Sequence, residues 1–345
     1  MNIVNRIQTD MEDLQENQQQ QIELQSALQP GIDLLNQRVM QIKKEIGKVV
    51  VGQETIIDLL LAGIFTGGHI LLEGVPGIAK TLTAKLVAKA VSVSFSRIQF
   101  TPDLMPTDVT GTTVFNVKTS EFSFSKGPVF ANLVLIDEIN RAPAKTQSSL
   151  FEVMEERQIT MDGTTYPMDF PFLVIATQNP IEQEGTYRLP EAQLDRFLFR
   201  LKLGYPALDH EIEILKKFRD DFSSKILDNV QPVISRQDLK DCQELIEKIH
   251  IKDEILVYIA KLIDSTRNNG DLVLGASPRA SLAIMRAAKA IAAMSGRDFV
   301  TPDDVKYVVH PVLNHRIMLT AEREMEGIET EDVIKELTER IEIPR

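Results

Sequence analysis

Five short apolar runs punctuate the stretch between residues 69 and 203: His69-Glu73, Arg97-Phe100, Leu133-Asp137, Phe172-Thr177 and Phe199-Leu203. Leu133-Val134-Leu135-Ile136 shows no polar alternation, which marks a strand covered on both faces, as in a parallel sheet. Stretches with helical spacing lie between the runs, and this alternation predicts a doubly wound α/β sheet. Ahead of it, Leu35, Val39, Ile42 and Ile46 fall three or four residues apart, the stripe of an amphipathic helix. Two stretches break the rhythm. Val114-Phe124 and Gln158-Met168 read as hairpins, the second turning at Asp162-Gly163, a pair that favours type I′ geometry.

After Tyr205-Pro206 the pattern becomes helical, with apolar spacing over 208–220, 236–249, 253–267, 278–295 and 302–309 and almost no strand signal. The expected division is therefore an α/β domain over 31–206 and a helical domain over 207–345. Residues 1–30 stand apart. They are glutamine-rich (Gln18 to Gln21) with thin apolar support from Ile3, Ile7, Met11 and Leu14, and read as a weak helical arm or leader ending at Pro30-Gly31.

Composition narrows the class. The 345 residues suit two domains, and 43% hydrophobic residues can bury a sizeable core. The apolar runs are far short of the roughly 18 residues of a membrane span, and the N-terminus lacks the basic-then-apolar order of a signal peptide. Cys242, the single cysteine, suits a reducing compartment. A soluble, cytoplasmic protein is expected. The net charge of −12 argues against broad nucleic-acid binding, which depends on neutralising phosphates. His69, His210, His250, His310 and His315 show no spacing that suggests zinc ligation, and Cys242 has no evident catalytic partner.

The sharpest chemical signal is Gly74-Val75-Pro76-Gly77-Ile78-Ala79-Lys80-Thr81. A phosphate-binding loop needs backbone N–H groups curled around the anion, a lysine for the β- and γ-phosphates and a hydroxyl for Mg²⁺. The strand residues Ile70, Leu71 and Leu72 lead in. A helix bearing Leu82, Leu86, Val87 and Ala90 leads out, so phosphate would sit at a helix N-terminus. Ala79 stands where glycine usually precedes the lysine, which is tolerable if the residue keeps a negative, helix-like φ. The second signal is Leu133 to Glu138. Two carboxylates at the C-terminal end of a central strand lie where α/β folds bind ligands. Asp137 is expected to hold Mg²⁺ through water, and Glu138 to orient and deprotonate the attacking water.

Gly74–Thr81, Asp137-Glu138-Ile139-Asn140-Arg141-Ala142, Thr177-Gln178-Asn179-Pro180 and Leu189-Pro190-Glu191-Ala192-Gln193-Leu194-Asp195-Arg196-Phe197 together resemble the MoxR family of AAA+ ATPases. The resemblance covers roughly residues 32 to 320, and alanine is common at the Ala79 position in that family. It implies a five-stranded parallel core with a helical lid, and an enzyme that hydrolyses ATP to ADP and phosphate with Mg²⁺. It also implies a hexameric ring with chaperone-like action on protein partners, often proteins with von Willebrand factor A domains. Asn179 matches the sensor-1 residue and Arg279, in Gly275-Ala276-Ser277-Pro278-Arg279, the sensor-2 arginine. Arg196 matches the arginine finger offered to a neighbouring subunit, with Arg200 a nearby competitor. Val51-Gly52-Gln53 resembles the segment along the adenine, and Val75 to Leu82 would complete the nucleotide contacts. The hairpins correspond to inserts that point toward the ring pore or face.

Other readings use the same features. A DNA-dependent motor shares the hairpins, although Lys118 is the only basic residue of the first. A metal-chelatase motor subunit differs mainly in client. A non-hydrolysing nucleotide switch would need none of Glu138, Asn179 and Arg196.

Overall fold

The computed structural model describes residues 28–75, 77–118, 120–180, 185–219 and 229–344; most of the expected leader, residues 1–27, and Pro76 of the phosphate loop lie outside the described residues. The first described element, helix α1 over residues 28–47, contains Pro30 and Gly31 where an end had been expected. Tertiary packing overrides the local break signal, since Gln29 Nε2 donates to the Gly296 carbonyl at 3.4 Å and Ile32 is buried. The stripe Ile32, Leu35, Val39, Ile42 and Ile46 is buried.

Helix α2 (Glu54–Thr66) leads to strand β1 (His69–Gly74), helix α3 (Lys80–Ala90) and strand β2 (Phe95–Gln99). A short helix α4 (Pro106–Thr110) opens the first hairpin, β3 (Gly111–Asn116) with β4 (Glu121–Lys126). Strand β5 (Leu133–Asp137) and helix α5 (Ala144–Glu156) precede the second hairpin, β6 (Gln158–Met161) with β7 (Thr164–Pro167). Strand β8 (Leu173–Gln178), a one-turn helix α6 (Glu191–Leu194) and strand β9 (Phe197–Leu203) complete this part. The five runs expected to be strands form one parallel sheet in the order β2-β5-β8-β1-β9.

Alternate residues of these strands feed different layers, which is why the runs carry no polar positions. Ile70, Leu72, Leu133, Leu135, Leu173 and Ile175 join a core with α2 and α3, whereas Leu71, Val134, Ile136, Val174 and Ala176 join another with Leu150, Phe151 and Met154 of α5. Because every strand runs the same way, the ends of β1, β5 and β8 meet on one edge; His69 and Phe197, paired at the starts of β1 and β9, lie on the other.

His69 is buried, its Nδ1 accepting from the Val174 N–H at 2.9 Å and its Nε2 donating to the Met154 carbonyl at 3.1 Å. Burial pulls its pKa down to about 4, so the ring stays neutral. The unfolded chain, with an ordinary histidine pKa, takes up a proton that the folded chain refuses. Stability is then complete above about pH 6.5 and declines as pH falls toward 4, by on the order of 1–3 kcal/mol from this residue. Denaturant titrations of the wild type and His69→Gln between those pH values should show a shallower decline in the variant; identical slopes would contradict this.

Both hairpins form where expected. Asp162 and Gly163 have φ of 50° and 78°, the two positive values a type I′ turn requires. The hairpins pack on each other through Phe124 stacked on Tyr166, with ring centroids 4.5 Å apart.

Beyond β9 the chain is helical: α7 (Leu208–Phe218), α8 (Arg236–Glu247), α9 (Asp253–Arg267), α10 (Pro278–Met294), α11 (Pro302–Leu313), α12 (Ala321–Met325) and α13 (Thr330–Arg340). Among the described residues of this region there is also a small ladder between strands β10 (Leu272–Leu274) and β11 (Met318–Leu319). Helix α1 docks on this region, Arg38 pairing with Asp238 at 2.7 Å and Asn36 donating to the Met294 carbonyl at 2.6 Å. Among the described residues no helix is long and apolar enough to cross a membrane.

Candidate nucleotide site

Gly74 ends β1 against β9, where a Cβ would lie 2.7 Å from the Leu203 carbonyl oxygen. Gly77 has φ 89° and α3 starts at Lys80. The condition set for Ala79 fails: its φ is +62° and its ψ 21°, left-handed rather than helix-like. The chain must reverse curvature immediately before the helix, so the position keeps the geometry that glycine adopts freely. An L-residue pays roughly 1–2 kcal/mol for it. Lys80 donates from Nζ to the Gly74 carbonyl, back across the loop. Burial lowers its pKa, and Asp137, Glu138 and Glu73 push it back up.

Val51-Gly52-Gln53 is joined to this loop through Gln53, which donates to the Ile78 carbonyl and accepts from Thr83 Oγ1, each at 3.2 Å. Leu82 packs its side chain on the core, and its N–H lies in the first turn of α3.

At the end of β5, Asp137 is buried beside Thr81, whose Oγ1 lies 3.3 Å from Oδ2. Thr177 Oγ1 donates to Asp137 Oδ1 at 3.2 Å, and Arg97 Nε approaches Oδ2 at 2.5 Å. Glu138 follows with φ 57° and ψ 53°. Its N–H donates to Thr177 Oγ1 at 3.0 Å, while Oε2 accepts from Gln99 Nε2 at 2.8 Å and faces Arg141 Nε at 3.0 Å. Arg97, Gln99, Arg141 and Thr177 were not among the expected site residues, yet they fix both carboxylates. One signal was available: Arg97 and Gln99 lie two apart on a strand, hence on one face. Asn179 is buried just past β8, beside the end of β1, so it shares this edge.

Arg196 and Arg279 do not. Arg196 immediately precedes β9, level with His69 rather than Gly74, and the six residues of β1 separate the two edges by roughly 17 Å. Arg196 Nε lies 3.1 Å from Glu155 Oε2, and Nη1 donates to the Phe151 carbonyl. Arg279, in the first turn of α10, places Nη2 3.1 Å from Glu155 Oε1 and Nη1 3.7 Å from Asp195 Oδ2. Arg200 points the other way, paired with Glu73 and donating to the Asn314 carbonyl.

A parallel five-stranded sheet, a phosphate loop after its β1 strand and paired carboxylates after β5 define the AAA+ class of P-loop ATPase. Comparison with known proteins agrees. The family described as ATPases associated with various cellular activities (AAA) matches residues 69–199, and an AAA lid domain matches residues 264–337. The chain is 44% identical to Chaperone MoxR1 of Mycobacterium tuberculosis, the match covering 87% of this chain and 81% of that one. It is 45% identical to the uncharacterized protein YeaC of Bacillus subtilis, covering 87% and 93%. The crystal structure of a Cytophaga hutchinsonii protein taken to be an ATPase superposes with a TM-score of 0.86 at 44% identity, covering 94% of this chain and all of that one. The chain belongs to the MoxR family of AAA+ ATPases. It is an ATPase, and the edge that carries Lys80 is its candidate nucleotide site.

Proposed function

We propose that this ATPase requires Mg²⁺ and works in the cytoplasm as a hexameric ring in which each ATP is held by one copy and completed by the next. One observation carries this reading: Lys80, Thr81, Asp137, Glu138 and Asn179 lie on one edge of the sheet, and Arg196 and Arg279 on the other. No single copy can bring both sets to one phosphate.

In this account the N–H groups between Gly74 and Leu82 hold the phosphates, and Lys80 leaves the Gly74 carbonyl to bridge β and γ. Val51-Gly52-Gln53 lies along the adenine. Glu138, held by Gln99 and Arg141, takes a proton as the oxygen of water bonds to the γ-phosphorus and the bond to ADP breaks. Asn179 positions that water. The arginines of the neighbour, Arg196 as finger and Arg279 beside it, balance charge in the transition state. Arg200, committed to Glu73, is not a competitor in this reading. Thr81 and Asp137 offer oxygen donors on the loop side of the sheet, and no three His, Cys, Asp or Glu side chains able to hold a metal gather among the described residues. That donor set fits Mg²⁺, which takes few protein ligands together with phosphate and water. When bound there the ion would neutralise phosphate charge.

The work done is chaperone-like remodelling of protein partners, by analogy with the relative named Chaperone MoxR1. The β3–β4 hairpin supports a protein client over DNA, because its exposed side chains include Val114, Phe115, Val117 and Phe122. A partner with a von Willebrand factor A domain rests on the family resemblance. The proposed working parts are the α/β region 31–206, the helical region 207–345 and the leader 1–30.

Lys80→Ala tests the site itself. Loss of one charge-assisted contact should weaken ATP binding about 10- to 100-fold or more, read by titration with a fluorescent ATP analogue. Undiminished affinity would remove the nucleotide from this loop.

A further inference from the structure

Glu155, near the end of α5, is the carboxylate on which the two far-edge arginines meet. Oε2 faces Arg196 and Oε1 accepts from Arg279, each at 3.1 Å. The arginines come from different parts of the chain, Arg196 from the start of β9 and Arg279 from the start of α10. Asp195 reaches only Arg279 of the two, through Oδ2 at 3.7 Å. Its Oδ1 is taken by Arg316 at 2.7 Å, and Arg316 is itself fixed by the Phe197, Leu198 and Val312 carbonyls. The Glu155 side chain remains 38% exposed. Ion pairs that open to water add only about 0–1 kcal/mol to stability, so this arrangement does more for geometry than for the fold.

We infer that Glu155 is a positioning residue, which holds Arg196 and Arg279 at a fixed spacing so that both reach the triphosphate on the neighbouring copy together. This rests on the shared-site reading. Two guanidinium groups on flexible stems repel each other and sample many arrangements. A carboxylate with one oxygen for each removes the repulsion and settles part of the ordering before docking. It also ties a core arginine to a lid arginine, so that they move as a pair.

The test uses Glu155→Ala and, as a second variant closer in shape, Glu155→Gln, each in the full chain with its thermal unfolding checked. For Glu155→Ala, kcat should fall about 10- to 100-fold while ATP affinity changes less than about twofold, because the affinity site is on the other edge. Glu155→Gln, with the amide unable to accept from both arginines, should fall in the same direction by less. Mixed rings then show which half is damaged. Glu155→Ala mixed with Glu138→Gln should regain activity, whereas Glu155→Ala mixed with Arg196→Ala should not, since both lack the same half. Unchanged or raised kcat in Glu155→Ala overturns the inference, as does recovery with Arg196→Ala. If Arg196→Ala and Glu138→Gln fail to complement each other although they co-assemble, the shared-site reading falls and the inference with it. If they complement while Glu155→Ala behaves as wild type, the inference falls alone.

Discussion

Glu138→Gln should bind ATP as tightly as the unaltered chain and turn it over at least about a hundred times more slowly, within the span that general-base catalysis supplies. The amide keeps the shape of the carboxylate and can still accept from Gln99, which donates to Oε2 at 2.8 Å. Thr177 continues to hold the main chain at this position through the Glu138 N–H. What the amide cannot do is take a proton from water. Binding and chemistry should therefore separate: calorimetric titration unchanged, phosphate release nearly abolished. Turnover within about threefold of wild type would assign the proton to another group.

Arg196→Ala should have the other large effect, a loss of about 10³-fold in kcat with ATP affinity intact. The intact affinity is the discriminating part. Arg196 precedes β9 at the edge where Phe197 pairs with His69, whereas Lys80 follows the opposite end of β1. On the proposed shared site, its removal should leave the loop of its own copy intact and slow the chemistry in the next. Steady-state phosphate release, with an ATP-binding titration on the same preparation, checks both halves. A large loss of affinity would place Arg196 at its own nucleotide.

The parallel core was legible because its signals are local. Val134 and Ile136 feed one layer while Leu133 and Leu135 feed the other, so both parities had to be apolar, and the run LVLI announced it. Asp162-Gly163 announced its turn for a similar reason, since few residue pairs accept two positive φ values. The ladder between β10 and β11 left no such trace. It joins Leu272 to Leu319 across the whole of α10 and α11, and strands of three and two residues are too short for a period. Helix α13 carries only Val333, Ile334 and Leu337 as buried apolar support, a faint stripe. Pro30 was misleading. Its usual sense as a break gave way to tertiary packing on either side of it, with Gln29 bonded to the Gly296 carbonyl and Ile32 buried.

The candidate site divides along the same line. Lys80, Thr81, Asp137 and Glu138 sit in contiguous motifs and could be read directly. Gln99, Arg97 and Thr177 reach the carboxylates only because β2, β5 and β8 are neighbours in the sheet; nothing along the chain links residue 99 to residue 138. Glu155 is invisible for the same reason, being defined by two arginines distant in sequence from it and from each other. Ala79 is the opposite case: a methyl group favours a helix-like φ, and the loop geometry overrides that preference.

The central claim is that each ATP is bound by one copy and finished by the next. It is tested most directly by mixing Arg196→Ala with Glu138→Gln, two variants expected to be nearly inert alone. At random mixing about a quarter of the interfaces would join an intact nucleotide edge to an intact arginine edge. ATPase activity should therefore return to a fraction of wild type of about that size. Mixed rings that demonstrably co-assemble and remain as inactive as their parents would contradict the account.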